Sequence, residues 1–333
     1  MKDIYQQIWN CDRHKFLVSP RDVNGKWLDP NADILLDEQV AAFGRKDLDL
    51  ARHPLFYRVN EEKLNNIPTY ASLIELLDNY RFDNQRSEIV TQGEKAEIEQ
   101  FIEHILLTKP IELARKYINE RLNIACDRNE FAKNLKSIWF DLYTNYFGEV
   151  LVKDASGFEH IFVGEGKYDY DDLPDKISGA ISGYHSWIKF YLDEKQQRVN
   201  YLGHNYDLQG NLGVDNPYVV TVQMLLRDCD TKKNIDIELF KKKGCFFIGT
   251  SPECEIAMGT VAYYESLVNY KFKKEKRRAT INGAVYDLAL YRNIKQDGSR
   301  GDRIRSFFPI YLRKQRRQLR QKQGMPHMYR LFE

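Results

Sequence analysis

Residues 158–165 read FEHIFVGE, and the chain changes character there. Apolar side chains run in a short block that closes at Gly164, the pattern of a buried strand. Upstream, the spacing is helical. In residues 69–80, TYASLIELLDNY, the side chains Leu73, Ile74, Leu76 and Leu77 fall on one side, with Thr69 expected to cap the helix start after Pro68. Residues 93–107, 110–121 and 129–146 repeat that spacing, the last segment being rich in aromatics. Downstream, residues 199–202, 218–226 and 245–248 read as strands and residues 252–270 as a helix. Residues 284–291 and 303–312 read as a hairpin whose turn holds Lys295, Asp297, Gly298 and Gly301. The expected class is α+β, mainly helical over residues 1–150 and mixed over residues 151–312. Residues 313–333, RKQRRQLRQKQGMPHMYRLFE, form a basic tail without apolar periodicity.

A chain of 333 residues holds about two compact units at roughly 100 to 200 residues each. Apolar residues make up 43% and aromatic residues 13% of the composition, which excludes a disordered chain. Lys and Arg total 50 against 48 Asp and Glu, so net charge does not announce a nucleic-acid binder and local patches must carry any such claim. The opening MKDIYQQIWN lacks the apolar core of a signal peptide and no run reaches the length of a membrane span, so the expectation is a soluble, cytoplasmic protein. Cys11, Cys126, Cys229, Cys245 and Cys254 include no CxxC pair, which points away from a disulfide framework or a structural zinc site.

Two of the seven histidines stand in unusual company: His160 follows Glu159 in the apolar block, and His185 lies in GYHSW. Two imidazoles and a lysine can cut RNA without a cofactor. One ring removes the 2′-hydroxyl proton, the other protonates the departing 5′-oxygen, and the lysine balances the extra charge on phosphorus. An ordinary imidazole pKa of about 6.5 keeps both protonation states within reach near neutrality. The plainer alternative is that each histidine is a satisfied core or surface residue. A metal site from His160, Glu165 and His185 is a further alternative; on an extended strand, however, His160 and Glu165 point to opposite faces. Lys241, Lys242 and Lys243, and the run Lys271 to Arg278, are candidate phosphate contacts or simply solvated charge.

FEHIFVGE, GYHSWIKFYLDEK (183–195) and KKKGCFFIGTSPECEIAM (241–258) together resemble the EndoU family of uridylate-specific endoribonucleases. HPLFYRVNE, PTYASLIELLDNY and KSIWFDLYTNY extend the resemblance through the amino-terminal half, so that it reaches about Leu312. It implies a helical region packed on a region of antiparallel sheets, and cleavage of single-stranded RNA after uridine to leave 2′,3′-cyclic phosphate and 5′-hydroxyl ends. The family's histidine blocks fall on His160 and His185, and counting back from Gly244 places its lysine on Lys241. Glu159 and Glu165 match two acidic residues that support the site by orienting imidazoles or fixing the backbone. Ser306 and Phe308, in Ser306-Phe307-Phe308-Pro309, match the hydroxyl that contacts uracil and the ring that stacks on it.

The chain departs from the family at three points. Phe308 lacks the phenol some relatives carry, which relaxes the expected uridine preference. The acidic stretch YDYDDLPDKIS (168–178) lengthens the connection between the histidine blocks and is expected to restrict substrate access. Asn145 stands where some relatives have an arginine near the scissile phosphate, a role neighbouring lysines could take. Some members of the family respond to manganese or calcium and others act without either, so these ions are candidate activators while the chemistry itself needs no metal; the expected substrate is uridine-containing RNA, and the expected protein a monomer without a membrane. Two rivals remain open: a non-catalytic protein that holds U-rich RNA, and a metal-dependent hydrolase that would also cut DNA.

Overall fold

The computed structural model describes residues 3–22, 24–39, 45–84, 86–147, 150–169, 176–204, 218–227 and 236–312. The amino-terminal part contains helices α1 (Ile4–Cys11), α2 (Glu61–Asn66), α3 (Pro68–Leu76), α4 (Gln92–Leu106), α5 (Lys109–Arg121) and α6 (Arg128–Phe140). It also contains short strands β1 (Val18–Ser19), β2 (Ile34–Leu36) and β3 (Phe56–Val59), which form a small sheet. Strands β4 (Tyr143–Phe147) and β5 (Val150–Ala155) make a ribbon. One turn of π-helix, Glu159–Val163, then leads into β6 (Glu165–Asp169) and β7 (Lys176–Ser182). Next come α7 (Trp187–Lys195), β8 (Val199–His204), β9 (Tyr218–Arg227) and β10 (Asp236–Ile248). After α8 (Pro252–Leu267) the chain ends in β11 (Phe272–Lys273), β12 (Lys276–Ile281), β13 (Ala284–Ile294) and β14 (Arg300–Tyr311).

The carboxy-terminal strands form a five-stranded sheet ordered β6-β7-β10-β9-β8 and a four-stranded meander β11-β12-β13-β14. The hairpin of β13 and β14 is antiparallel, with Leu288 opposite Pro309 and Ala289 opposite Phe308. The antiparallel sheets expected of this region form, with one parallel pair, β7 and β10, within them; β1 and β2 of the amino-terminal sheet also run parallel. A parallel pair needs a long crossover, and the chain between β7 and β10 supplies one that carries α7.

Helix α8 is buried along nearly its whole length, from Pro252 through Glu265. Ser251 caps it by accepting from Cys254 N at 3.1 Å, and Pro252 fills the first-turn position where a missing N–H costs nothing. Helices α1, α3 and α5 pack on α8. One cluster of buried apolar side chains runs from Ile4 in α1 to Phe307 in β14, so the amino-terminal helices and the sheets share a core.

Three local expectations are overturned. Residues 158–165 are not a strand. Ser156 and Glu159 hydrogen bond reciprocally, Ser156 N donating to Glu159 Oε2 at 3.2 Å and Glu159 N donating to Ser156 Oγ at 3.1 Å, which closes a helical turn as a capping box does. The run from Glu159 to Val163 is buried on every side, so no period betrays the turn. Thr69 is not the cap of α3: Ile67 occupies that position without a side-chain bond, and Pro68 opens the helix. The helix expected over residues 129–146 stops at Phe140. Asp141 is extended there, and the β-favouring Tyr143, Thr144 and Tyr146 build β4 instead. The basic tail and residues 170–175 of the acidic stretch lie outside the described residues.

Candidate active site

His160 rides on the π turn, where its N–H donates to Ser156 O at 3.1 Å and its carbonyl accepts from Tyr184 N at 2.8 Å. His185 is brought alongside by a tight left-handed pair, Gly183 (φ +64°) and Tyr184 (φ +62°). A Cβ on Gly183 would lie 1.8 Å from His160 O, so only glycine lets this turn approach the first histidine. Tyr184 carries strain of about 1–3 kcal/mol in that conformation. Its buried ring and a 2.6 Å bond from its hydroxyl to Asp193 Oδ2 hold it there. His185 N then donates to Ile161 O at 2.6 Å, and the imidazole centroids of His160 and His185 stand 6.3 Å apart at 55°.

The two rings are mounted differently. His185 Nδ1 lies 2.6 Å from Cys245 O, and a carbonyl can only accept, so Nδ1 carries the proton and Nε2 presents a lone pair. Burial, with the charges of Lys241 and His160 adding, pulls its pKa well below the ordinary imidazole value. Phe308 stacks on this ring at 4.5 Å and 17°. His160 Nδ1 instead faces a carboxylate: Glu165 Oε1 is 3.1 Å away, near enough to attract the ring but off the line a hydrogen bond requires. Burial, helped by the charge of Arg305 and opposed by Glu165, pulls His160 down to about 4.

Glu165 is 1% exposed at the start of β6 and is clasped at both oxygens by Arg305 of β14, with Nη2 donating to Oε2 at 2.7 Å and Nη1 to Oε1. Burial works to raise this carboxyl, but His160 and the Arg305 clasp outweigh it and hold Glu165 ionised. Glu159 is shifted in the opposite direction. It turns back to Ser156, and burial, with Glu165 and Glu88 adding, raises its carboxyl well above the usual range. Its part is to shape the turn under His160.

Lys241 sits within β10, which starts earlier than expected and takes in the three-lysine run with an irregularity in its pairing before Gly244. A Cβ on Gly244 would come within 2.6 Å of Lys241 Cε, so the glycine leaves room for the side chain to fold inward. Nζ donates to Gly183 O at 2.5 Å and reaches Ile181 O at 3.5 Å, and burial pulls the ammonium down to about 8. Lys242 and Lys243 are exposed beside it. In the other basic run, Arg277 pairs with Glu265 at 3.1 Å and Arg278 with Asp287 at 2.8 Å, so two of its charges are engaged in ion pairs.

Ser306 is buried on β14 opposite Tyr291 of β13. Phe308, half-buried, has His185 on it and Tyr291 stacked nearby at 6.2 Å and 21°, giving a ladder of rings that runs outward from the imidazole. Asn145 is fully buried; its Oδ1 accepts from Ile294 N at 2.6 Å, and its Nδ2 has no partner among the described groups. It ties β4 to the end of β13, and the guanidinium beside His160 comes from β14 instead.

The structure brings His160 and Glu165 together, against the expectation of opposite faces, because the segment is a turn and not a strand. They still do not suit a metal: Arg305 takes both oxygens of Glu165, and the described residues contain no group of three or more metal-type side chains placed to hold an ion. Arg305 and Tyr291 escaped the sequence reading. One signal was present for Arg305, a charge set among Ile304, Ser306 and Phe307 in an otherwise buried strand, which demands a buried partner.

The family profile described as Endoribonuclease XendoU matches residues 2–309. Poly(U)-specific endoribonuclease-A of Xenopus laevis is 30% identical over 94% of each chain. The Poly(U)-specific endoribonuclease of Xenopus tropicalis is 32% identical over 94% of this chain and 93% of its own. The solved structure of XendoU, described as a splicing independent snoRNA processing endoribonuclease, superposes with a TM-score of 0.61 at 27% identity, covering 93% of this chain and 95% of that one. The match thus spans the π turn, the left-handed pair and the β14 segment alike, and the chain belongs to the XendoU family of endoribonucleases.

Proposed function

We propose that this protein is an endoribonuclease that cleaves single-stranded RNA at uridines by transesterification, with His185 as the base, His160 as the acid and Lys241 as the charge that steadies the pentacovalent phosphate. The observation that carries the reading is the pair of imidazoles 6.3 Å apart, one with its Nδ1 proton committed to a carbonyl and its Nε2 left basic, with a buried ammonium beside it.

His185 Nε2 takes the proton of the 2′-hydroxyl, and O2′ attacks the adjacent phosphorus. The bond from phosphorus to O5′ breaks as His160 Nε2 delivers its proton to the departing oxygen. The products are a 2′,3′-cyclic phosphate and a 5′-hydroxyl, and the two histidines exchange protons with water to reset. A phosphodiester anion between the rings restores proton affinity that burial takes from His160. Lys241 has three N–H bonds, two of them aimed at carbonyls, and the third serves the phosphate. Ser306 reads the uracil edge, and Phe308 closes the pocket wall next to His185. The step needs no metal; manganese or calcium, as an activator, acts outside it. The protein works as a cytoplasmic monomer, and no described helix is long and apolar enough to cross a membrane.

The test is an oligodeoxynucleotide holding a single ribonucleotide, uridine or cytidine, incubated with and without EDTA and the product ends weighed. Cleavage after ribouridine with a cyclic phosphate, unaffected by EDTA, is expected. Cleavage of an all-deoxyuridine control would favour the metal-dependent hydrolase, and binding without cleavage would favour the non-catalytic RNA binder.

A further inference from the structure

We infer that Arg305 is a positioning residue of this site: by clasping Glu165 it fixes the one carboxylate oxygen that faces His160 and limits what that oxygen can lend to the imidazole. The geometry is specific. Glu165 Oε1 meets Arg305 Nη1 on one side and lies 3.1 Å from His160 Nδ1 on the other, so guanidinium and imidazole compete for the same atom. The second contact, Nη2 to Oε2 at 2.7 Å, prevents the carboxylate from swinging toward the ring. All three side chains are buried, so water does not screen the competition.

The surroundings leave few other charges to do this. Lys241 from β10 and His185 beyond β7 face the imidazole, and both disfavour its charged form. Glu159, on the same turn, points back to Ser156, and burial raises its carboxyl. Tyr143 of β4 lies beside the guanidinium and donates its hydroxyl to Ile304 O at 3.1 Å, fixing β4 against β14 where Arg305 emerges. Glu165 is thus the carboxylate left to support a charged His160, and Arg305 sets how far it does so.

Removing the guanidinium lets Glu165 turn fully onto Nδ1 and also takes away a positive charge. Both changes raise the proton affinity of His160. This inference rests on the reading of His160 as the acid, and its first test needs no RNA: the titration of the His160 ring, followed by NMR on the full chain and assigned by its loss in His160→Asn.

In Arg305→Gln the midpoint is expected to move up by about 1 in pH relative to the parent, as loss of a charge within contact of the pair requires. Arg305→Lys keeps the charge but cannot clasp both oxygens. It provides the second arm if Arg305→Gln does not fold, and is expected to lower kcat severalfold at unchanged KM while shifting the midpoint less. An unmoved or lowered midpoint in folded Arg305→Gln overturns the inference. So does a raised KM at constant kcat in Arg305→Lys, which would mean that the guanidinium holds the RNA itself. Failure of the parent to cut RNA would sink the functional reading while leaving the titration interpretable.

Discussion

His160 and His185 share one site but are held by opposite means. His160 stands on a π turn before a buried ion pair, so its state depends on charges that other side chains bring from β6, β10 and β14. His185 is held by a backbone carbonyl and an aromatic ring, neither of which titrates. The difference matches the two tasks proposed for them. A base that starts the reaction is served by a fixed tautomer with an open Nε2, whereas a group that releases its proton late is served by a partner whose strength can be tuned.

The largest effects should come from the rings themselves. His185→Ala and His160→Ala are each expected to lower kcat/KM by about 10²–10⁴-fold, the usual worth of a positioned acid or base. A much smaller loss in either would break the comparison, since that ring would then not be moving protons. Next is the glutamate that opens β6. Glu165→Gln leaves Arg305 buried without a charge partner and should lower unfolding stability by about 3 kcal/mol, read from denaturant titration. The sign with pH follows from its depressed carboxyl. The stability Glu165 contributes is present above the ordinary carboxylate value of 4.5 and is lost as acid carries the pH through its lower folded value.

Lys241 gives an effect that depends on pH. Its ammonium, at about 8, loses charge as the solution becomes alkaline, so activity of the parent should fall above that value. Lys241→Arg, charged throughout, should be slower near neutrality but free of that alkaline limb. An unchanged limb would assign it to another group. Phe308→Leu removes a stack worth about 0.5–1.5 kcal/mol and should cost a few-fold in kcat/KM through looser placement of His185. Smallest of all is Glu159→Gln. Burial raises the Glu159 carboxyl and its contacts are confined to Ser156, so the amide should preserve the turn and the rate within about twofold; a tenfold or larger loss of rate would mean that its negative charge is needed in the working enzyme.

What could be read in advance follows the range of the interactions. The helices over residues 92–106 and 109–121, the β13–β14 hairpin and the candidate residues His160, His185 and Lys241 all carry local signals, either a period or a short motif. The π turn did not, because periodicity marks a boundary between buried and exposed faces and this segment has none. Its misreading led to a second error, the expectation that His160 and Glu165 face apart. Arg305 and Glu165 are 140 residues apart, and a pairing of that range exists only once β6 and β14 are folded together. Asn145 was legible as an unusual residue, but its use, tying β4 to β13, depends on a backbone group that no sequence pattern reveals.

The division of labour between the two rings is tested most directly by a uridine substrate whose bridging 5′-oxygen is replaced by sulfur. A thiolate departs without a proton, so a variant that lacks only the acid should recover on it. His160→Ala is expected to cleave the sulfur substrate at close to the parent's rate, while His185→Ala stays inactive. Recovery of His185→Ala with His160→Ala still inactive would reverse the roles, and recovery of neither would contradict the two-histidine account itself.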